Sequence, residues 1–167
     1  MKMNSSAKSE SSSQLTGVAG VHYVAAFLSF KGLHAVPTTR NVRGPDVLVS
    51  TIDGEQSLSL QVKTTMSAMR TRGRGAAKTP DHYEWEIGWS SAKLSHSRLF
   101  FALVDLQHFE RLPDVFFVPS RVIHAYFKAG DPSTWIRARY HPAIGEIAGY
   151  KNNWDAIEQA LHASDVQ

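Results

Sequence analysis

Cysteine is missing from all 167 residues, which excludes disulfide frameworks, thiol nucleophiles and zinc sites built on thiolates. A secretion signal needs an apolar block near the start, and none follows Met1; the chain opens on a polar stretch holding Ser5, Ser6, Ser9, Ser11, Ser12 and Ser13. Long hydrophobic runs are lacking too. The most apolar stretch, Val18 to Phe30, is interrupted by Gly20, His22 and Ser29 and is too short to span a bilayer. These absences point to a soluble, cytoplasmic protein with no membrane partner. Net charge is small, with 18 Lys and Arg against 15 acids for a formal +3, so a polyanion would be attracted only where cations cluster.

Several reaction classes fall on spacing. The eight histidines form none of the close pairs of a helical zinc motif. Gly73 to Thr79 superficially suggests a phosphate-binding loop, but its second glycine is missing, its lysine comes one position early, and Pro80 stands where a helix must start. No Gly-x-Ser-x-Gly elbow occurs.

What is present fits one globular domain. Hydrophobic residues make up 43% and charged residues 20%, close to ordinary globular usage, and the length suits a single core over residues 15–167. Residues 1–14 are too polar to offset their ordering entropy and read as a flexible Ser-rich tail. From Thr16, apolar residues at helical spacing (Val18, Val21, Ala25, Leu28) predict a helix ending at Gly32. A short strand at His34 to Pro37 and a loop Thr38 to Pro45 follow. Thr64 to Pro80, broken by Gly73 and Gly75, reads as a long surface loop. Strands are expected at Tyr83 to Trp89, Leu99 to Leu106 and Asp114 to Val118, and helices at Arg121 to Phe127 and Asn153 to His162, with Lys128 to Gly149 irregular. Trp85, Trp89, Trp135 and Trp154 read as packing residues, and Thr64 and Ser120 as local hydrogen-bonding groups.

The strongest local signal is a hairpin. Asp46 to Thr51 and Gln56 to Thr64 flank Asp53-Gly54, a pair favoured in two-residue type I′ turns, where both positions need positive φ. In the second strand Leu58, Leu60 and Val62 share one face, and Ser57, Ser59, Gln61 and Lys63 the other. Counting outward from the turn sets Val49 opposite Leu58, Val47 opposite Leu60, and Asp46 opposite Gln61. A regular ladder therefore gathers Asp46, Gln61 and Lys63 on the polar face.

Gly44-Pro45-Asp46, fourteen intervening residues and Gln61-Val62-Lys63 resemble the PD-(D/E)XK nuclease superfamily, whose core carries an aspartate at the start of one strand and an acid-x-lysine on the next. The likeness extends to Gly17-x-x-Gly20-x-x-Tyr23, Arg40-Asn41-x-Arg43-Gly44, Phe116 to Ser120 and Asn153-Trp154-Asp155, and so resembles a set of small, mostly uncharacterised bacterial members with a D…QxK motif. The resemblance implies an α/β fold with a restriction-endonuclease-like core, a central mixed β-sheet flanked by α-helices. It implies a Mg²⁺- or Mn²⁺-dependent hydrolysis of DNA phosphodiester bonds, with homodimers within its range. Asp46, the Gln61 side-chain oxygen and the Val62 carbonyl would hold the cation, because hard divalent ions take oxygen ligands. Lys63 would orient the attacking water or stabilise developing negative charge.

Two positions depart from the family pattern. Gln61 offers an oxygen without charge where glutamate is commoner, and Val21 stands where relatives often place a helix glutamate, with His22 beside it. A catalytically degenerate member, binding nucleic acid or a protein without cleaving, is the alternative reading. Charge distribution adds an independent indication of a nucleic-acid partner. Between Glu55 and Asp81 there is no acid, while Lys63, Arg70, Arg72, Arg74 and Lys78 all fall there, with Arg40 and Arg43 just ahead of Asp46. Each feature alone also fits a plainer role: Asp46 paired with Arg43, Gln61 and Lys63 on a solvated strand face, and a basic loop with no ligand.

Overall fold

The computed structural model describes residues 5–38, 44–130 and 136–163, with side chains from residue 13 onward. In chain order the elements are α1 (Ser5–Phe30), β1 (His34–Pro37), β2 (Val47–Ser50), β3 (Ser57–Thr65), β4 (Met69–Arg72), β5 (Thr79–Tyr83), β6 (Trp85–Glu86), α2 (Trp89–Ala92), β7 (Leu99–Asp105), β8 (Asp114–Pro119), α3 (Ser120–Ala129), β9 (Arg139–Tyr140), α4 (Ile144–Ile147) and α5 (Asp155–His162). Arg40, Arg43 and Trp135 lie outside the described residues. Among those described, no helix is long and apolar enough to cross a membrane.

Five strands form a central mixed sheet in the order β1-β2-β3-β7-β8. Only β3 and β7 run parallel, and their neighbours pair antiparallel. A parallel pair cannot be joined by a tight turn; here the connection from β3 to β7 is long enough to hold β4, β5, β6 and α2.

Strand composition follows from which faces are covered. In β7, Ala102 and Val104 point into a core shared with α1 and α5, while Phe101 and Leu103 point into a second core shared with Trp85, Ile87, α3 and Ile147. In β8, Val115 and Phe117 divide from Phe116 and Val118 in the same way. Strands buried on both faces have no room for polar alternation. In β2 and β3 only Val47, Val49, Leu58, Leu60 and Val62 enter a core, and the residues between them stay partly or fully exposed. Trp154 links the helices to the sheet, stacked on Phe27 at 4.1 Å and edge-on to Phe117 at 4.8 Å.

The hairpin register is the one read from the sequence: Val47 faces Leu60 and Val49 faces Leu58. Its turn differs. Thr51 and Gln56 close a four-residue loop in which only Gly54, at φ +76°, has positive φ. The Asp53 carboxylate accepts hydrogen bonds from the Thr51 hydroxyl at 2.5 Å and the Glu55 amide at 3.1 Å, so its side chain organises the loop without the left-handed backbone of a type I′ turn.

Three further expectations are corrected. α1 begins at Ser5, ahead of Thr16, and so takes in part of the Ser-rich stretch that composition assigned to a tail; extending a nucleated helix fixes one residue per added hydrogen bond. Thr64 to Pro80 is not one loop, because β3 runs to Thr65 and β4 pairs with β5 in a separate two-stranded ribbon. Tyr83 to Trp89 is not one strand, since β6 ends at Glu86 and pairs with β9, and Trp89 opens α2.

Ser120 hydrogen-bonds, but not locally: it is buried, its hydroxyl donates to the carbonyl of His96, 24 residues earlier in the chain, and it accepts from the His96 amide, each at 2.9 Å. Thr64 differs, its buried hydroxyl having no hydrogen-bond partner among the described residues. Its place is steric, because a Cβ on Gly20 would fall 2.7 Å from Thr64 Cγ2 and closer still to its hydroxyl. Glycine at position 20 lets α1 lie directly on β3. Gly20→Ala is expected to lose about 1–3 kcal/mol of stability in urea unfolding, the usual range for overpacking. Adding Thr64→Ala should recover part of that loss; equal stability of Gly20→Ala and the native chain would show that helix and strand are not held apart by these two residues.

Candidate active site

The site forms where β2 leaves β3. The β2–β3 ladder ends at Val47 opposite Leu60, whereas β3 continues for five more residues. Asp46 stands at the point of departure, its amide donating to the Leu60 carbonyl at 2.8 Å and its carbonyl accepting from Thr38 at 2.9 Å. Beyond it, the Val62 amide has no β2 residue to pair with. The Asp46 carboxylate takes that place, with Oδ2 accepting from the Val62 amide at 2.7 Å and from the Gln61 side-chain amide. Bonds to an ionised acceptor contribute about 1.5–3 kcal/mol each, so a structural duty holds the carboxylate in one orientation.

Lys63 follows two residues on and shares the face of Gln61. Their partners across the parallel pair are Leu103 and Phe101, both fully buried in the second core. The polar row of β3 thus runs along the margin of a core, and Lys63 is half-buried there. Burial pushes its ammonium pKa below the ordinary lysine value, while Asp46 and Glu86 pull in the opposite direction without cancelling the shift. Glu86, on β6, is itself bonded to Arg137 at 3.1 Å. Glu86 was not foreseen in the sequence, because β6 belongs to another sheet and no register count reaches it.

Asp46 and Gln61 also line one end of a cleft of about 1130 Å³. Ser57 and Ser59 of β3 continue along it, Gly44 and Pro45 border it near Asp46, and Ser90, Ser91, Leu94, His96 and Arg98 also line it. The volume exceeds the roughly 300–1000 Å³ of small-molecule pockets and leaves room for an extended ligand. Arg98 is engaged structurally, donating to the Leu161 carbonyl at 3.1 Å and the Ala163 carbonyl at 3.2 Å at the end of α5.

The remaining expected residues divide. Val21 packs against the core of α1 and α5, and His22 is exposed on α1. Arg70 is tied to Glu84 at 3.1 Å and to the Ser67 carbonyl at 2.8 Å. Burial works to raise the Glu84 carboxyl, but the hydrogen bonds from Arg70 and the charge of Arg139 override it and leave it below the usual carboxylate range. Arg72, Arg74 and Lys78 are exposed on the β4–β5 ribbon.

As oxygen donors, Asp46, the Gln61 amide and the Val62 carbonyl fit a hard divalent cation held by one carboxylate, the pattern of Mg²⁺ sites completed by water and substrate phosphate. The Gln61 amide would have to turn over, since its nitrogen now faces Asp46. Among the described residues no group of three or more His, Cys, Asp or Glu side chains could hold a metal ion. Comparison with known protein families, curated proteins and solved structures finds no match to the chain.

The burial of Lys63 is measurable. A lysine whose folded pKa is lowered weakens the fold below that pKa, and stability is regained as pH rises from it toward the unfolded value. NMR titration of Lys63 should give a midpoint below that of exposed lysines, and Asp46→Asn should lower it further by removing a supporting charge. An ordinary midpoint would show that the ammonium is solvated.

Proposed function

We propose that the protein is a nuclease hydrolysing DNA phosphodiester bonds with Mg²⁺ or Mn²⁺ on a restriction-endonuclease-like fold. The observation that carries this reading is the convergence of Asp46, Gln61 and the Val62 backbone where β2 parts from β3, with Lys63 next on the same face. Solvation alone does not account for that arrangement. A half-buried ammonium works against burial, and replacing it by a packed apolar chain would ordinarily be neutral or stabilising. Its presence fits a requirement for positive charge at that place.

In this reading Asp46, the Gln61 amide oxygen and the Val62 carbonyl hold the cation, which when bound supplies charge neutralisation of the phosphate and a more acidic water. The chain's own contributions are positional and electrostatic. Asp46 is fixed by the Val62 amide before any ligand arrives. Lys63 directs a hydrogen-bond donor and a positive charge at the scissile phosphate from a site of reduced solvent screening, where such charge acts more strongly than in water. The cleft lined by Ser57, Ser59, Ser90 and Ser91 receives the chain next to the cleaved bond through neutral hydroxyls.

A second reading, a binding protein without cleavage, is favoured by the donor count. Asp46 is the one carboxylate in the proposed set, and Val21 fills the helix position where the resemblance places another. Purified protein incubated with DNA and Mg²⁺ or Mn²⁺ should cleave it, with Asp46→Asn and Lys63→Met each losing at least about 100-fold, in line with removal of one electrostatic stabiliser. Lys63→Met should unfold at the same temperature as the native protein or higher. Binding without cleavage would sustain the second reading.

Gln61→Glu tests the shared cation without relying on activity. Two carboxylates in contact repel, so this variant should melt below the native chain in chelator and gain more stability than the native chain on adding Mg²⁺. Indifference to Mg²⁺ in Gln61→Glu would mean that positions 46 and 61 do not hold one ion.

A further inference from the structure

The β4–β5 ribbon stands apart from the central sheet and is cationic in an ordered way. At its base every charge has a partner. Arg70 meets Glu84 at 3.1 Å, Arg139 meets the other oxygen of Glu84 at 3.4 Å, and His82 contacts Asp81 at 2.8 Å. Toward its tip the pattern changes: Arg72, Arg74 and Lys78 are exposed and make no ion pair among the described residues, and the nearest acid in sequence, Asp81, contacts His82. An isolated two-stranded ribbon is only marginally stable, and clustered like charges weaken it further. That burden lies beyond the base, where Glu84 pairs with both Arg70 and Arg139.

The tip is also narrow. Gly73, Gly75, Ala76 and Ala77 present no side-chain atom beyond Cβ, and the turn is closed by backbone bonds from Ala77 to Arg74 and from Lys78 to Gly75. Gly73, at φ +101°, allows no side chain, because a Cβ there would strike the Ala77 carbonyl. The two strands of a ribbon lie about 4.8 Å apart. A ribbon so trimmed is narrow enough for the major groove of B-DNA, about 12 Å wide and 8.5 Å deep. Arg74 comes eleven positions after Lys63 in the chain, at most about 40 Å of extended backbone, comparable with one turn of duplex.

We propose that the β4–β5 ribbon is a duplex-DNA arm that enters the major groove, with Arg72, Arg74 and Lys78 on the phosphates and Arg70 serving as its structural base. The proposal rests on the nucleic-acid reading given above but not on catalysis. Failure of the two can be told apart: cleavage without ribbon-dependent binding overturns only the arm, and ribbon-dependent binding without cleavage overturns only the nuclease.

The experiment is fluorescence anisotropy with a labelled 30-base-pair DNA duplex in chelator, across a series of salt concentrations. Replacing Arg72, Arg74 and Lys78 together by Ala should lower affinity by at least about 10-fold. It should also reduce the slope of log affinity against log salt by roughly 2–3, near 0.9 for each phosphate no longer neutralised. Replacing Arg111, Arg121 and Lys128, exposed cations elsewhere, removes the same charge and should change the slope by less than about 1. If the triple variant unfolds, Arg74→Glu alone should still reduce the slope. An A-form RNA duplex, whose major groove is too narrow for a ribbon, should bind less tightly than DNA. Equal slopes for the ribbon and control variants, equal affinity for RNA and DNA duplexes, or a ribbon effect confined to anionic vesicles would each overturn the proposal.

Discussion

One backbone amide without a ladder partner organises the candidate site. Where β2 stops and β3 goes on, the Val62 N–H would face a strand edge with no ladder partner, and a buried backbone donor left unpaired is costly. The Asp46 carboxylate answers it at 2.7 Å, and in doing so is brought against the Gln61 side chain and toward Lys63. The same divergence turns the Val62 carbonyl toward the edge that β2 has left, so the proposed oxygen donors follow from one event in the sheet. The site forms where this strand pair ends.

The placement of Lys63 follows from a second constraint. β7 lies beside β3 and is buried on both faces, so any residue of β3 pointing toward the second core sits at that core's edge. Ser59 and Gln61 tolerate the position because they are neutral. Lys63 does not share that advantage, and its lowered pKa records the difference. Asp46 and Glu86 both moderate the effect of burial, one from just before β2 and one from β6. An apolar residue would serve packing at least as well.

The parts legible in the sequence are those governed by strict alternation. Val47, Val49, Leu58, Leu60 and Val62 fix the register through a period of two, and a slip of one residue would have moved all of them to solvent. The pairing of Asp46 with Gln61 was therefore readable even though the turn was not the type expected, since the four-residue loop at Asp53-Gly54 preserves the same count. Glu86 was not readable. Its approach to Lys63 depends on how the β3–β7 crossover folds back over the sheet, and neither spacing nor register carries that information. The ribbon was hidden for another reason: Gly73, Gly75 and Pro80 are ordinary markers of irregular chain, and β4 is too short and too polar to show alternation.

The same physics separates the two cationic groups that the sequence alone could only pool. Lys63 and Arg70 lie in one acid-free stretch with Arg72, Arg74 and Lys78, yet burial and partners divide them. Lys63 is held in low solvent at the strand divergence, and Arg70 is bonded to Glu84. Of this stretch, only the tip cations are exposed and outside any ion pair among the described residues. A surface charge in water gains little from any single neighbour, so its effect on a polyanion comes from number and spacing. A half-buried charge acts strongly but only on what reaches it. Burial thus separates Lys63, at the margin of a core, from the exposed cations of the β4–β5 ribbon a few residues further along the chain.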